Sequence, residues 1–167
     1  MRVDRAREAA LDALAACRRN GAWIDGALKQ VHKRDGLSGR DAAFASRIAY
    51  GVMQNRIYLD RCLARCLTQR PEKLEPLLLD ILRIGAYQIL LMDKVPVNAA
   101  VNEAVEMAKA HKLSRAAGLV NAVLRNVDRR RGEPLAFADE LEALSVQTSH
   151  PRTLVERMVG LLGAEEA

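Results

Sequence analysis

The stretch from Pro96 to Val127, PVNAAVNEAVEMAKAHKLSRAAGLVNAVLRNV, leaves the chain little choice of local structure. Val97, Val101, Ala104, Val105 and Ala108 recur at i, i+4, i+7, i+8 and i+11, one apolar stripe of a helix. Ala116, Leu119, Val120, Val123, Leu124 and Val127 make a second stripe. Pro96 suits the first position of the first helix, where a missing N–H removes no bond. Ser114 is expected to cap the second by accepting from an orphan backbone N–H. The join, from Lys109 to Arg115, puts cations where the first helix dipole is negative. The pattern specifies a helical hairpin.

The rest of the chain keeps the same period. A first helix is expected from Asp4 to Arg19 on Val3, Ala6, Ala10, Ala13 and Cys17, widened by Leu11 and Leu14 and stopped by Asn20-Gly21. A second covers Trp23 to Lys33; Trp23 reads as a core or lid residue rather than a base-stacking platform, and His32 as a surface residue. A third begins at Ser38, whose spacing to Asp41 approximates a capping box. A fourth runs from Ile57 to Gln69. A fifth, from Leu74 to Met92, has the broadest apolar face and is expected to be the most buried. Arg83 on it is expected to make a structural ion pair, with an acid such as Glu103 or Glu106, rather than an RNA contact. Pro134 ends helical continuation after Arg129–Gly132, residues 138–147 read as a short acidic helix, and Ser149 is expected to cap a final amphipathic helix through Leu162. The expectation is an all-α bundle of about seven helices. Residues 1–131 form one domain with sub-bundles of about 1–70 and 71–131, and 132–167 a linker carrying a C-terminal helix.

A chain of 167 residues, 50% apolar, can bury one good core. No apolar run reaches the ~20 residues that span a bilayer, and the charged N-terminus lacks a secretory h-region. Three cysteines make no disulfide framework, which fits a reducing cytoplasm. Cys62 and Cys66 share a helix face, but no His or Cys cluster completes a metal site, so they read as small apolar residues. Residues 1–70 hold fourteen Lys/Arg against seven Asp/Glu, residues 71–132 ten against seven, and residues 133–167 two against seven. Twenty of the 26 basic residues are Arg. A basic, Arg-rich body suits a nucleic-acid partner; a coding bias towards Arg and Ala would give the same composition.

Arg2, Arg5 and Arg7 crowd the first helix N-terminus, where cations are unfavourable to the helix itself and point to an external anion. Lys109, Lys112 and Arg115 flank the hairpin junction, where the N–H groups of the second helix add to an anion site. Asn121, Arg125 and Arg129 follow on one face; Asn102 and Asn121 equally suit helix-bracing hydrogen bonds. No catalytic constellation is visible. His32, His111 and His150 are scattered, and no strand precedes a Gly-rich loop that would hold a cofactor.

The motifs V-P-V-N-A-A-V-N-E-A-V-E-M-A-K and A-G-L-V-N-A-V-L-R resemble the last two helices of the NusB fold. The resemblance extends through LLDILRIGAY (78–87) and, more weakly, LSGRDAAFASRIAYGV (37–52). That fold occurs in the antitermination factor NusB and as the N-terminal domain of RsmB-type (Sun/Fmu) methyltransferases, which make 5-methylcytosine in small-subunit ribosomal RNA. Residues 149–167 resemble the S-H-P-x-x-L-V-E-R passage into the catalytic part of the latter. The resemblance implies an RNA-binding or docking domain, with ribosomal RNA and the protein's own methyltransferase domain as partners and S-adenosylmethionine as cofactor of the full-length parent only. It implies that the Arg-rich N-terminus contacts RNA. The family's two cysteines stand in Pro-Cys and Thr-Cys contexts, which Cys17, Cys62 and Cys66 do not match. Two alternatives are a free antitermination factor acting with a small-subunit ribosomal protein, and a scaffold with little RNA contact. Ala15 and Leu119 stand where NusB proper carries aromatics, which would forfeit roughly 1–3 kcal/mol of stacking per base.

Overall fold

A computed structural model describes residues 3–163; Arg2, one of the expected RNA contacts, lies outside them. The described residues form α-helices without strands: α1 (Arg5–Asn20), α2 (Ile24–Asp35), α3 (Gly39–Gln54), α4 (Arg56–Ala64), α5 (Pro76–Leu91), α6 (Val97–Ala110), α7 (Ala117–Arg130), α8 (Glu140–Thr148) and α9 (Arg152–Leu162). Two 3-10 turns, Pro71–Lys73 and Ser114–Ala116, precede α5 and α7. The all-α bundle expected from the sequence is the fold.

Helix α5 is its axis. Eleven of its sixteen residues are buried, and it packs on α1, α3 and α4 as well as on α6 and α7. Two glycines permit the closest approaches. A Cβ at Gly51 of α3 would lie 1.9 Å from Cζ of Tyr87, and one at Gly85 would lie 2.5 Å from a Leu124 methyl. Buried polar groups on α5 are satisfied by α1. Arg7 Nε donates to Gln88 Oε1 at 2.7 Å, and Arg18 pairs with Asp80. Arg83 binds Asp60 with two nitrogens, at 2.7 and 2.8 Å, and Asp80 at 3.2 Å. Arg83 thus makes the structural ion pair expected of it, with acids of α4 and of α5 itself in place of Glu103 or Glu106. Burial pushes the Asp80 carboxyl above its usual range, against the pull of its arginines.

Several local expectations yield to packing. Helix α4 stops at Ala64 rather than Gln69, closing on a 3-10-type Cys66 N–H to Leu63 C=O bond before the extended Arg70-Pro71. Helix α5 starts at Pro76, where fixed φ and a missing N–H suit a first turn. Ser38 and Ser114 make no capping bond. His32 is half-buried against Ser46 Oγ at 3.1 Å, not a free surface residue. Trp23 is 87% exposed, neither core nor lid. Ser149 does not cap α9. It ends α8 with φ 54°, and its Oγ accepts from Ile57 and Tyr58 N–H at 3.1 and 3.4 Å. It therefore caps α4 from more than ninety residues away.

The segment after α7 lies on α4. Arg61 donates to Ala136 C=O and pairs with Glu142, and Arg65 donates to Glu133 and Arg130 C=O. Helix α8 packs on α4 and α9 on α8. Of α9 only Val155 is buried, while Leu161 and Leu162 are exposed.

Gly51→Ala is expected to lower stability by about 1–3 kcal/mol through overpacking, while Gly26→Ala, at an open helical site, is expected to raise it by up to ~1 kcal/mol. Urea unfolding measures both, and a Gly51→Ala midpoint equal to wild type would refute the close contact. The Ala138 N–H and then Arg61 hold the Glu142 carboxyl below its ordinary range, and the Glu142 N–H and then Arg152 do the same for Asp139. Both pKa values are depressed, so the contribution of these groups is complete above the ordinary carboxylate range and is lost as pH falls through and below it. Amide exchange over 138–148, corrected for intrinsic rate, is expected to accelerate relative to α5 between about pH 6 and about pH 3.

Candidate nucleic-acid interface

Helix α1 carries its cations in two directions. Arg5 falls off the apolar stripe and is exposed, its guanidinium donating to the Asp35 carbonyl at the end of α2. Arg7 falls on the stripe between Val3, Ala10 and Leu14. It is 8% exposed, bonded to Gln88, 3.5 Å from Asp4 and stacked 5.1 Å from the Phe44 ring. A guanidinium occupied in this way is closed to an outside phosphate. Arg7 therefore leaves the set of surface contacts expected from the sequence and becomes a brace. The helical phase of α1 was the signal that separates it from Arg5.

The α6–α7 junction comes to α1. His111 Nε2 contacts Glu8 Oε1, and Asp4 N–H donates to Glu103 at 3.1 Å. Lys112 holds a left-handed φ of 63°, and Leu113 N–H closes on Ala108 C=O at 2.8 Å, so backbone groups seal the end of α6. Lys109, Lys112 and Arg115 are all exposed; Lys109 is loosely paired with Glu106 at 3.4 Å. Arg5 and His111 of this junction both border Glu8 of α1. An open groove of about 300 Å³ is lined by Ala15, Ala16, Arg19, Asn20, Arg34 and His111. Arg34 is ion-paired to Asp12 at 2.5 Å and Asp35 at 2.7 Å, which raises its pKa further and leaves Arg19 as the freer cation.

The remaining expected residues sit at the other end of the hairpin. Arg125 donates to Asn121 Oδ1 at 3.1 Å and to Asn98 Oδ1 at 3.3 Å. Arg129 donates to Asn126 at 2.6 Å. Asn98 and Lys109 are eleven residues apart on α6, about 16 Å along the axis. Asn121 is half-buried and serves to orient Arg125, whereas Asn102 is exposed. The structure thus divides the expected residues between Arg5 and the junction cations Lys109, Lys112 and Arg115 on one side and Asn121, Arg125 and Arg129 at the far end of the hairpin.

Sequence reasoning passed over Arg19, Lys29, Lys33, Arg40 and Arg47. All are exposed and none has an ion-pair partner among the described residues. Their signal was a position off every apolar stripe. Nucleophilic chemistry finds no support here: burial pushes the thiols of Cys17, Cys62 and Cys66 up, away from the thiolate. Among the described residues no group of three or more His, Cys, Asp or Glu side chains could hold a metal, and no helix is long and apolar enough to cross a membrane.

Comparison with known proteins matches residues 4–129 to the NusB family. The "Probable ribosomal RNA small subunit methyltransferase B" of Bacillus subtilis is 36% identical over 169 positions, covering all of this chain and 37% of that protein. The chain thus spans little more than a third of that relative. The "Transcription antitermination protein NusB" of Bacillus licheniformis is 36% identical over 93 positions, 54% of this chain and 72% of that one. A chain in the crystal structure of PH0851 superposes with a TM-score of 0.77 at 18% identity, over 99% of this chain and 37% of that one, a likeness of fold.

Arg7→Ala is expected to cost about 1–3 kcal/mol by leaving Gln88 Oε1 buried without a donor. Lys112→Ala and Arg115→Ala should stay within about 0.5 kcal/mol. Thermal or urea unfolding distinguishes them; an Arg7→Ala protein as stable as wild type would return Arg7 to the surface set.

Proposed function

The chain belongs to the NusB family, and from that premise we propose that it is the RNA-binding or docking domain of a small-subunit ribosomal RNA 5-methylcytosine methyltransferase. The observation that carries this reading is the end-to-end match to the Bacillus subtilis relative, α8 and α9 included. Antitermination relatives match less of the chain, 54% and 79% of it. In this reading residues 1–131 hold ribosomal RNA and residues 132–167 lead to the catalytic part. The methyltransferase domain of the longer protein is the second partner, and the exposed Leu154, Leu161 and Leu162 of α9 are the surface offered to it. The setting is cytoplasmic.

The binding is electrostatic at base. Exposed Lys and Arg neutralise phosphates and release counterions, which gives affinity and orientation without reading bases. A tethered basic domain raises the local concentration of RNA at a catalytic centre. The contacts proposed are Arg2, Arg5, Lys109, Lys112, Arg115, Asn121, Arg125 and Arg129, now joined by Arg19. S-adenosylmethionine would supply the methyl group in the longer protein. The described residues are helical and offer no strand with a Gly-rich loop to cradle it, so no step of its chemistry is assigned to them.

The test is binding of a small-subunit ribosomal RNA fragment across a salt series. Affinity is expected to fall linearly on a log–log plot, and each lost phosphate contact to reduce the slope by about 0.7–0.9. Replacing Lys109, Lys112 and Arg115 together with Ala should reduce the slope by about two to three and leave the unfolding midpoint unchanged. Absence of binding in low salt would leave the scaffold reading standing in its place.

A further inference from the structure

Resting on the RNA-binding reading above, we propose that Trp23 is a stacking platform for an unpaired nucleobase, so that the RNA held by this domain includes a single-stranded segment. The side chain is 87% exposed, the most exposed large apolar side chain among the described residues. It occupies the N-cap position of α2 and makes no capping bond. Ser, Thr, Asp or Asn there would favour the helix, and an indole left in water forgoes the burial that usually justifies an aromatic. Trp23 thus brings no local advantage, which directs attention to an outside partner.

The chain has six aromatic residues, and the other five are engaged. Phe44 lies under Arg7 and Phe137 under Arg61. Tyr87 fills the space above Gly51. Tyr50 and Tyr58 are partly buried against the core. Trp23 alone among the six is exposed; the others are buried or half-buried.

Its surroundings favour RNA over a protein. The other large exposed apolar side chains among the described residues, Met53, Leu91, Leu119, Leu154, Leu161 and Leu162, lie on α3, α5, α7 and α9; none lies on α1 or α2. A protein partner needs a contiguous apolar patch. Stacking needs one ring face and nearby cations for the backbone. Arg19, four residues before it in the last turn of α1, and Lys29, six residues after it on α2, are exposed cations close to it in sequence, with Asp25 the nearest acid.

Because Trp23 is the sole tryptophan, its fluorescence reports directly on the site. Titration with single-stranded oligoadenylate of about twelve nucleotides is expected to quench it saturably, and a blunt RNA duplex is expected not to. By anisotropy of the labelled oligoadenylate, Trp23→Ala is expected to weaken binding about tenfold and Trp23→Phe by much less, with unfolding midpoints unchanged. Oligoadenylate binding without quenching, binding by Trp23→Ala within about twofold of wild type, or binding of the duplex alone would overturn the stacking role while the RNA-binding reading stands. Failure of oligoadenylate, duplex and ribosomal RNA fragment alike in low salt would overturn both.

Discussion

Two arginines of α1 fasten the central helix of this fold. Helix α5 is apolar enough to be buried almost whole, yet it carries Asp80 and Gln88 into the interior. An unsatisfied buried amide or carboxylate costs on the order of 1–3 kcal/mol or more. Arg18 and Arg7 meet these two groups, so α1 must lie antiparallel to α5. The groups are eleven residues apart on α1 and eight on α5, about 16 and 12 Å along the axes, and the reach of the arginine side chains makes up the difference. The register of the two helices is a consequence of charge placement as much as of apolar fit.

Glycines let other helices approach that axis. Gly51 lets Tyr87 lie on α3, and Gly85 lets Leu124 of α7 lie on α5. Helix α5 therefore joins the helices before it to those after it. The acidic tail is joined in turn by Arg61 and Arg65, which bind its carbonyls, and by Ser149, which caps α4. These contacts make the residues after Arg131 part of the packed structure as far as α8.

This use of arginine changes what composition means. A basic, Arg-rich body suits nucleic acid, but Arg7, Arg18, Arg34, Arg61, Arg65, Arg83 and Arg130 are spent on internal acids, carbonyls or amides. The cations left over for phosphate include Arg19, Lys112 and Arg115, joined by Arg5, which is exposed and held only by the Asp35 carbonyl. The surface potential is accordingly patchier than the net charge of +5 suggests.

Helical period, apolar stripes and stop signals were legible in the sequence because they arise from contacts three or four residues apart. They were enough for the all-α bundle, for the burial of α5 and, through the hairpin motifs, for the family resemblance. The phase of α1 even held the clue that Arg7 faces inward. Whether Arg7 meets a phosphate or Gln88, whether Ser149 caps α9 or α4, and whether Trp23 is covered or bare depend on groups far away in sequence. Those partners are brought together by packing, and no local pattern encodes them. The sequence by itself determined the helices and their apolar faces; only the tertiary structure decided which polar side chains are consumed inside and which remain for a partner, because a polar group's role is set by the neighbour that satisfies it.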